Sequence, residues 1–408
     1  MRFVNNGRRF LLVPASLLLA VVGQQGGFAA TLSSLYSFSG GQFDTAPNDG
    51  ANPAASLVLN FDGKFYGTTS QGGLYANGTI FQTTTSGAVT TLYSFSGFNQ
   101  DGAGPVGMLV PGINLHGVDG FLYGATAQGG RYANGSLFKV TSSGAFTSLY
   151  SFQGTADGAN PQAGLFEGLD GNFYGTTLSG GIGNSGVIFK ITPAGAFNVI
   201  HGFSATDVTG INTDGANPAA SLVLNLDGSL YGTTQAGGAH GQGTIFKVSR
   251  TGVFTTLYSF TGADGSAPIA SLLPDLQGNL YGTTQRGGPN GTGEVFKWKH
   301  NGGLVVLHSF AAVGASGANS DGAYPAGNLI PGKNGALYGT TPSGGALGFG
   351  TVYSITTGGA FTPLYSFING VDGSSPQAGL FPDTHGNLYG VAYSGGSYGL
   401  GTVFVLNP

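Results

Sequence analysis

The chain has 408 residues, with 78 Gly, 18 Pro and no Cys; 7% of its residues are charged and its formal net charge is −4. The lack of Cys excludes disulfides, thiolate metal sites and a Cys nucleophile, and 13 basic residues are too few for the phosphate contacts of a nucleic-acid partner. With 29 Phe and 18 Tyr there is ample apolar surface to bury, so the chain is not disordered, and Gly without a three-residue period excludes collagen.

The N-terminus reads as an export signal. Arg2, Arg8 and Arg9 precede an apolar run from Phe10 to Val22, and Gly27-Phe28-Ala29-Ala30 supplies a small-residue cleavage site. The run is shorter than the roughly 20 residues that span a bilayer. Residues 1–30 are therefore expected to be a signal peptide, with an uncleaved anchor as the alternative. Residues 31–408 are expected to form the mature domain, secreted or at the cell surface or in the periplasm, with no transmembrane helix. The repeat pattern runs to Pro408, so no C-terminal sorting tail is expected.

From residue 31 onward one pattern recurs seven times. It opens with Asp-Gly-x-x-Pro, at Asp49, Asp101, Asp157, Asp214, Asp264, Asp321 and Asp372, spaced 50 to 57 residues apart. A Tyr-Gly pair follows, at Tyr66, Tyr123, Tyr174, Tyr231, Tyr281, Tyr338 and Tyr389, and a Gly-Gly pair begins six residues after each Tyr. Each unit predicts four short strands. In the fourth copy these are strand A over 220–224, B over 229–234, C over 244–248 and D over 253–260, all apolar or β-branched and bounded by Gly, Asp and Pro turns. No capped amphipathic stretch predicts a helix.

Seven four-stranded units predict a seven-bladed β-propeller, all-β, with antiparallel blades; an open β-solenoid is the alternative. Residues 31–38 match strand D of the other units, and the chain ends after a strand C, so the N-terminal strand is expected to complete the last blade and close the ring. The motif from Asp214-Gly-Ala-Asn-Pro through Leu230-Tyr231-Gly-Thr-Thr to Leu257-Tyr-Ser-Phe resembles the GloVer tandem repeat of exported bacterial proteins, over residues 35–408. That resemblance implies an export signal and, in many members, a C-terminal surface anchor. It implies no activity and no catalytic residues.

The repeated Asp is expected to shape the D-to-A turn by accepting an N–H two residues on, with Gly free to take positive φ and Pro pushing its predecessor extended. A cation-binding ring, with Ca²⁺ the fitting ion, is the competing role for these carboxylates. The Gly after each Tyr is expected to let the next blade approach. The strand C aromatics (Phe81, Phe138, Phe189, Phe246, Phe296, Tyr353 and Phe404) are expected to pack between blades. The Lys after four of them (Lys139, Lys190, Lys247, Lys297) is expected to face solvent.

The D-to-A and B-to-C loops should share one face, and loops on a rigid scaffold are where binding sites gather. Three D-to-A loops, beginning after Phe38, Phe203 and Phe310, are longer than the other four. The B-to-C loops add Tyr75, Arg131, Tyr132, His240, Arg286, Phe349, Tyr393 and Tyr398, a set suited to stacking on and hydrogen-bonding sugars. The function expected is a monomeric binding module for polysaccharide or another surface protein, with no catalytic residue and no metal assigned. Two alternatives are a purely structural surface protein and a carbohydrate-active hydrolase or lyase using Asp44, Asp207 or Glu167. The six His residues show no metal-ligand spacing.

Overall fold

The computed structural model describes residues 30–41, 48–98, 100–114, 117–332 and 335–408. The expected signal peptide lies outside them, apart from Ala30. Seven four-stranded antiparallel sheets form the blades of a propeller, and no α-helix occurs among the described residues. Within blade 1, strand A is Val58–Leu59, B is Phe65–Thr69, C is Thr79–Thr83 and D is Val89–Ser94. The last blade orders Thr31–Ser37 beside Thr402–Asn407, Leu388–Ala392 and Phe381–Pro382, so the N-terminal strand closes the ring as the sequence predicts. No helix among the described residues is long and apolar enough to cross a membrane.

The cores lie between blades. Val58, Tyr66, Ile80 and Phe95 of blade 1 pack against Leu109, Leu122, Phe138 and Val140 of blade 2. Each such fully buried side chain contributes about 1.5–3 kcal/mol. The strand C aromatics thus pack between blades, as expected. The Gly after the strand B Tyr has a different reason from the one expected. A Cβ on Gly67 would stand 2.6 Å from the Phe81 ring, and Phe81 is its partner in the same blade. Glycine here makes room for the blade's own strand C ring.

Strand A is shorter than the sequence suggests, pairing over only two residues in six blades. The preceding residues turn toward the central channel, where their amides bond across blades instead. Ser221 donates its N–H to Ser271 Oγ at 3.0 Å, and Ser271 donates to Asn328 Oδ1 at 2.8 Å.

A bulge recurs in every outer strand, between the positions facing Ile80 and Phe81 in blade 1 and at the equivalent place in the others. Alternation would send neighbouring side chains to opposite faces. The extra residue lets Leu92 and Tyr93 pack together against blade 2. This explains the recurring Leu-Tyr-Ser-Phe. Leu, Tyr and Phe reach the next blade, and Ser faces the loop layer.

Candidate functional site

The repeated aspartates clasp the outer strand rather than their own turn. Asp101 Oδ2 accepts the Tyr93 hydroxyl at 3.0 Å and the Ser96 N–H at 2.8 Å, and the Ser96 hydroxyl donates to both carboxylate oxygens. Asp49 does the same with Tyr36 and Ser39. Asp157, Asp264 and Asp372 take Tyr150, Tyr258 and Tyr365. Asp214 and Asp321 take a His ring instead, His201 at 3.1 Å and His308 at 2.8 Å. The expected donor two residues on is engaged elsewhere, the Ala51 and Ala103 N–H groups donating to the Gln71 and Gln128 carbonyls of the B-to-C loops. Burial, with the neighbouring carboxylate, pushes the Tyr36, Tyr93 and Tyr150 phenols far above their ordinary value. The carboxylates are therefore already engaged. Among the described residues no group of three or more His, Asp or Glu side chains gathers as metal ligands.

The Gly after each Asp does hold positive φ, +97° at Gly50, where a Cβ would fall 2.1 Å from Thr69 Oγ1. The residue before Pro, however, is left-handed rather than extended, with φ of 58° at Asn52 and 57° at Asn217. This conformation aims its N–H at the preceding blade, where Asn52 donates to the Leu400 carbonyl and Asn217 to the Ser185 carbonyl. Asn tolerates this region better than most residues.

The Ser of Leu-Tyr-Ser-Phe fixes the B-to-C loop. Ser94 Oγ accepts the Leu74 N–H, and Ser151, Ser259, Ser366 and Ser37 accept those of Arg131, Ala239, Ala346 and Ser397. The next residue in each loop occupies one structural position, nine after the strand B Tyr. It is Tyr75, Tyr132, Gly183, His240, Asn290, Leu347 and Tyr398 in blades 1 to 7. Tyr75, Tyr132 and Tyr398 are 53%, 45% and 58% exposed. Their equivalence was missed in the sequence, although their common offset from Tyr66, Tyr123 and Tyr389 would have revealed it.

Tyr75 overhangs a groove of about 560 Å³ between the outer strands of blades 1 and 2, lined with Tyr93, Phe146, Asp101, Ser94 and Ser148. Tyr93 stacks on Phe146 at 4.2 Å with the rings 10° apart. The central channel is much tighter. Its cavity of about 110 Å³ is walled by small residues just before strand A, such as Ala55 and Gly107. A Cβ on Gly107 would stand 2.6 Å from the Ala163 carbonyl.

The remaining candidates separate. Arg131 lies over the Tyr132 ring at 5.4 Å and His240 is exposed at the shared loop position. Arg286 is exposed but belongs to the inner loop layer, exchanging both backbone hydrogen bonds with Ser266. Tyr393 is half-buried beside Asn52, whose side-chain amide bonds its carbonyl. Phe349 is a correction: it packs against the core between blades 6 and 7, because its loop turns the ring inward. The strand C lysines are the partly exposed alternates of otherwise buried strands, as expected, and each finds a partner at the surface. Lys190 pairs with Asp170 at 3.0 Å, Lys247 with Asp227 at 3.7 Å, and Lys139 and Lys297 lie over the rings of Phe121 and Tyr281.

Of the candidate acids, Asp44 lies outside the described residues. Asp207 is exposed in the long loop after Phe203, accepting the N–H groups of Thr209 and Ile211. Glu167 sits at the opposite end of its blade, next to the A-to-B turn, so these two are not brought together. Burial raises its carboxyl to about 7, against the hydrogen bond from the Ile113 N–H, with Asp119 adding to the rise. Asp119 stands on the longer A-to-B hairpin of blade 2, between Val110–Asn114 and the end of Gly117–Thr126. The extra length between Pro105 and Tyr123 was the sequence signal for this longer hairpin. Glu294, 1% exposed, replaces the Thr found at that position in four other blades; Ser309 donates to it, and burial raises its carboxyl.

Solved structures of similar fold include the BP39L lectin from Burkholderia pseudomallei, 11% identical, covering 87% of this chain and 96% of that one with a TM-score of 0.56. A putative 6-phosphogluconolactonase from Bacteroides fragilis is 18% identical, covering 82% of this chain and 90% of that one at a TM-score of 0.50. At such identities the likeness is one of fold. A search of curated proteins finds no match. The model of the Gloeobacter/Verrucomicrobia repeat matches residues 24–213, 115–320 and 208–404 in overlapping stretches. With nearly all of the propeller matched, the chain belongs to the Gloeobacter/Verrucomicrobia repeat family.

Proposed function

We propose that the protein is exported and binds extracellular carbohydrate at the rim of its propeller. The observation that carries this is the groove under Tyr75, about 560 Å³ in volume, within the range of small-ligand sites. Its walls suit a sugar. The exposed face of Tyr75 offers an apolar platform for a pyranose ring, with a hydroxyl at its edge. Ser94 Oγ accepts from Leu74 and keeps its own hydrogen to donate to a ligand oxygen. The lectin of similar fold supports only the point that a propeller scaffold can carry such sites. The channel, at about 110 Å³, is the narrower of the two.

A hydrolase or lyase is the second reading, and Glu167 is the observation in its favour. A carboxyl raised to about 7 beside Asp119 has the protonation behaviour of a general acid. Its engagement with the Ile113 amide is equally that of a structural clasp between blades. The test is incubation of the purified protein with galactomannan, xylan, chitin and dextran, with mass spectrometry of the supernatant. Retention without new oligosaccharides supports the binding module. Released oligosaccharides that disappear in Glu167→Gln support the enzyme. Neither retention nor products would overturn the carbohydrate reading and leave a surface-protein partner or a structural role.

A further inference from the structure

The side-chain arrangement around the groove under Tyr75 recurs. Blade 2 repeats that arrangement with Tyr132 at the loop position, Tyr150 in strand D, and Asp157 accepting the Tyr150 hydroxyl at 2.9 Å. Tyr150 stacks on Phe197 of the next blade at 4.0 Å and 7°, as Tyr93 does on Phe146. Blade 7 repeats it with Tyr398 above Tyr36, whose hydroxyl lies 2.8 Å from Asp49, while Val89 of blade 1 replaces the stacked Phe. In all three the loop Tyr is close enough to its strand D partner to influence that phenol's ionisation. Blades 7, 1 and 2 are neighbours in the closed ring.

The other four blades keep the outer-strand clasp and lose the platform. Blades 3, 5 and 6 carry Gly183, Asn290 and Leu347 at the loop position, and Asn290 is tied down to the Phe310 carbonyl. Blade 4 carries His240, a smaller ring. The clasp alone is therefore the structural element common to the family of blades. The Tyr is an addition confined to one arc, where it is exposed and supports no core.

We propose that blades 7, 1 and 2 form three equivalent, adjacent saccharide subsites, so that the protein holds a polymer of repeating sugars along one arc of its rim. This rests on the carbohydrate reading above and adds its number, its place and the polymeric nature of the ligand. Linking subsites raises apparent affinity for a polymer by two or more orders of magnitude over a single sugar.

The test counts sugars per chain. Native mass spectrometry with galactose, mannose, fucose and glucose as separate probes should show up to three bound to the whole protein. Tyr75→Ala, Tyr132→Ala and Tyr398→Ala should each lower the maximum by one, and any two together should weaken galactomannan binding at least tenfold. His240→Ala should leave the count unchanged. A maximum of one, abolished by a single substitution, would overturn the three-subsite inference while preserving carbohydrate binding. No sugar and no polymer bound would overturn both. Because the three tyrosines are exposed, their variants should keep the wild-type melting temperature, which separates lost sites from lost fold.

Discussion

The two ends of blade 1 use the same pair of side chains, a Tyr and an Asp, for different purposes. At the loop end the strand D Tyr meets a buried Asp of the following D-to-A loop, as Tyr93 meets Asp101. At the turn end the strand B Tyr meets an Asp only four residues before it, as Tyr66 meets Asp62 at 2.7 Å. The first clasp gathers a side chain, a backbone amide and a serine hydroxyl from the outer strand. The second closes a local turn that is partly wet. A long-range buried clasp holds the loop layer in place, and that leaves the exposed loop residue above it free to vary. The local clasp at the turn end offers no comparable platform.

The largest expected effect tests that difference directly. Asp101→Ala strands the Tyr93 hydroxyl and the Ser96 amide, leaving the Ser96 hydroxyl only the Phe98 carbonyl, and should cost about 3 kcal/mol in chemical denaturation. An effect no larger than that of a turn-end Asp would break the comparison.

Next in size is a pH effect at the turn end of blade 3. Glu167 has a raised pKa, about 7, so the folded state holds its proton more tightly than the unfolded chain. Its contribution to stability is full below about pH 4.5 and is lost as pH rises through about 7. Allowing for solvent screening, the loss should be about 1–2 kcal/mol. Glu167→Gln should flatten that decline in melting temperature between pH 5 and 8. Three residues away the sign reverses. Burial works against the Asp170 charge, but donors from Asn172, Lys190 and Tyr174 outweigh it and hold the carboxyl at about 2. The stability it supplies is present above its unfolded pKa and fades as pH falls toward about 2.

Asp62→Ala, the turn-end counterpart of Asp101→Ala, should cost only about 1 kcal/mol, since the Lys64 N–H can turn to water and the buried Tyr66 hydroxyl keeps a second acceptor in Gln82 Oε1 at 3.2 Å. Smallest of all is Tyr75→Ala, expected to move stability by less than about 0.5 kcal/mol while abolishing saccharide binding in its groove.

Much of the ring was legible in the sequence because repetition forces it. Seven Asp-Gly-x-x-Pro units with a spare strand at one end leave little choice of architecture. What failed were local inferences drawn from residue type alone. Asn52 before Pro53 reads as extended, yet its N–H is needed by Leu400 of the neighbouring blade, and that demand selects the left-handed conformation. Gly67 reads as clearance for another blade, yet it clears its own blade's Phe81. Phe349 reads as an exposed loop aromatic, but the loop turns it half-buried against the core between blades 6 and 7. Tyr75, Tyr132 and Tyr398 share one offset from the strand B Tyr, which is legible in the sequence; that their loops are held alike, by Ser94, Ser151 and Ser37, is not. The Glu167 and Asp119 pair joins neighbouring blades, and no spacing along the chain brings it together.

The measurement that tests the account most directly is affinity electrophoresis through galactomannan, xylan, chitin and dextran gels, comparing the wild type with the Tyr75→Ala/Tyr132→Ala/Tyr398→Ala variant. The account predicts retardation of the wild type in at least one gel, its loss in the variant, and equal melting temperatures. Equal retardation of the two proteins, or none for the wild type in any gel, would contradict it.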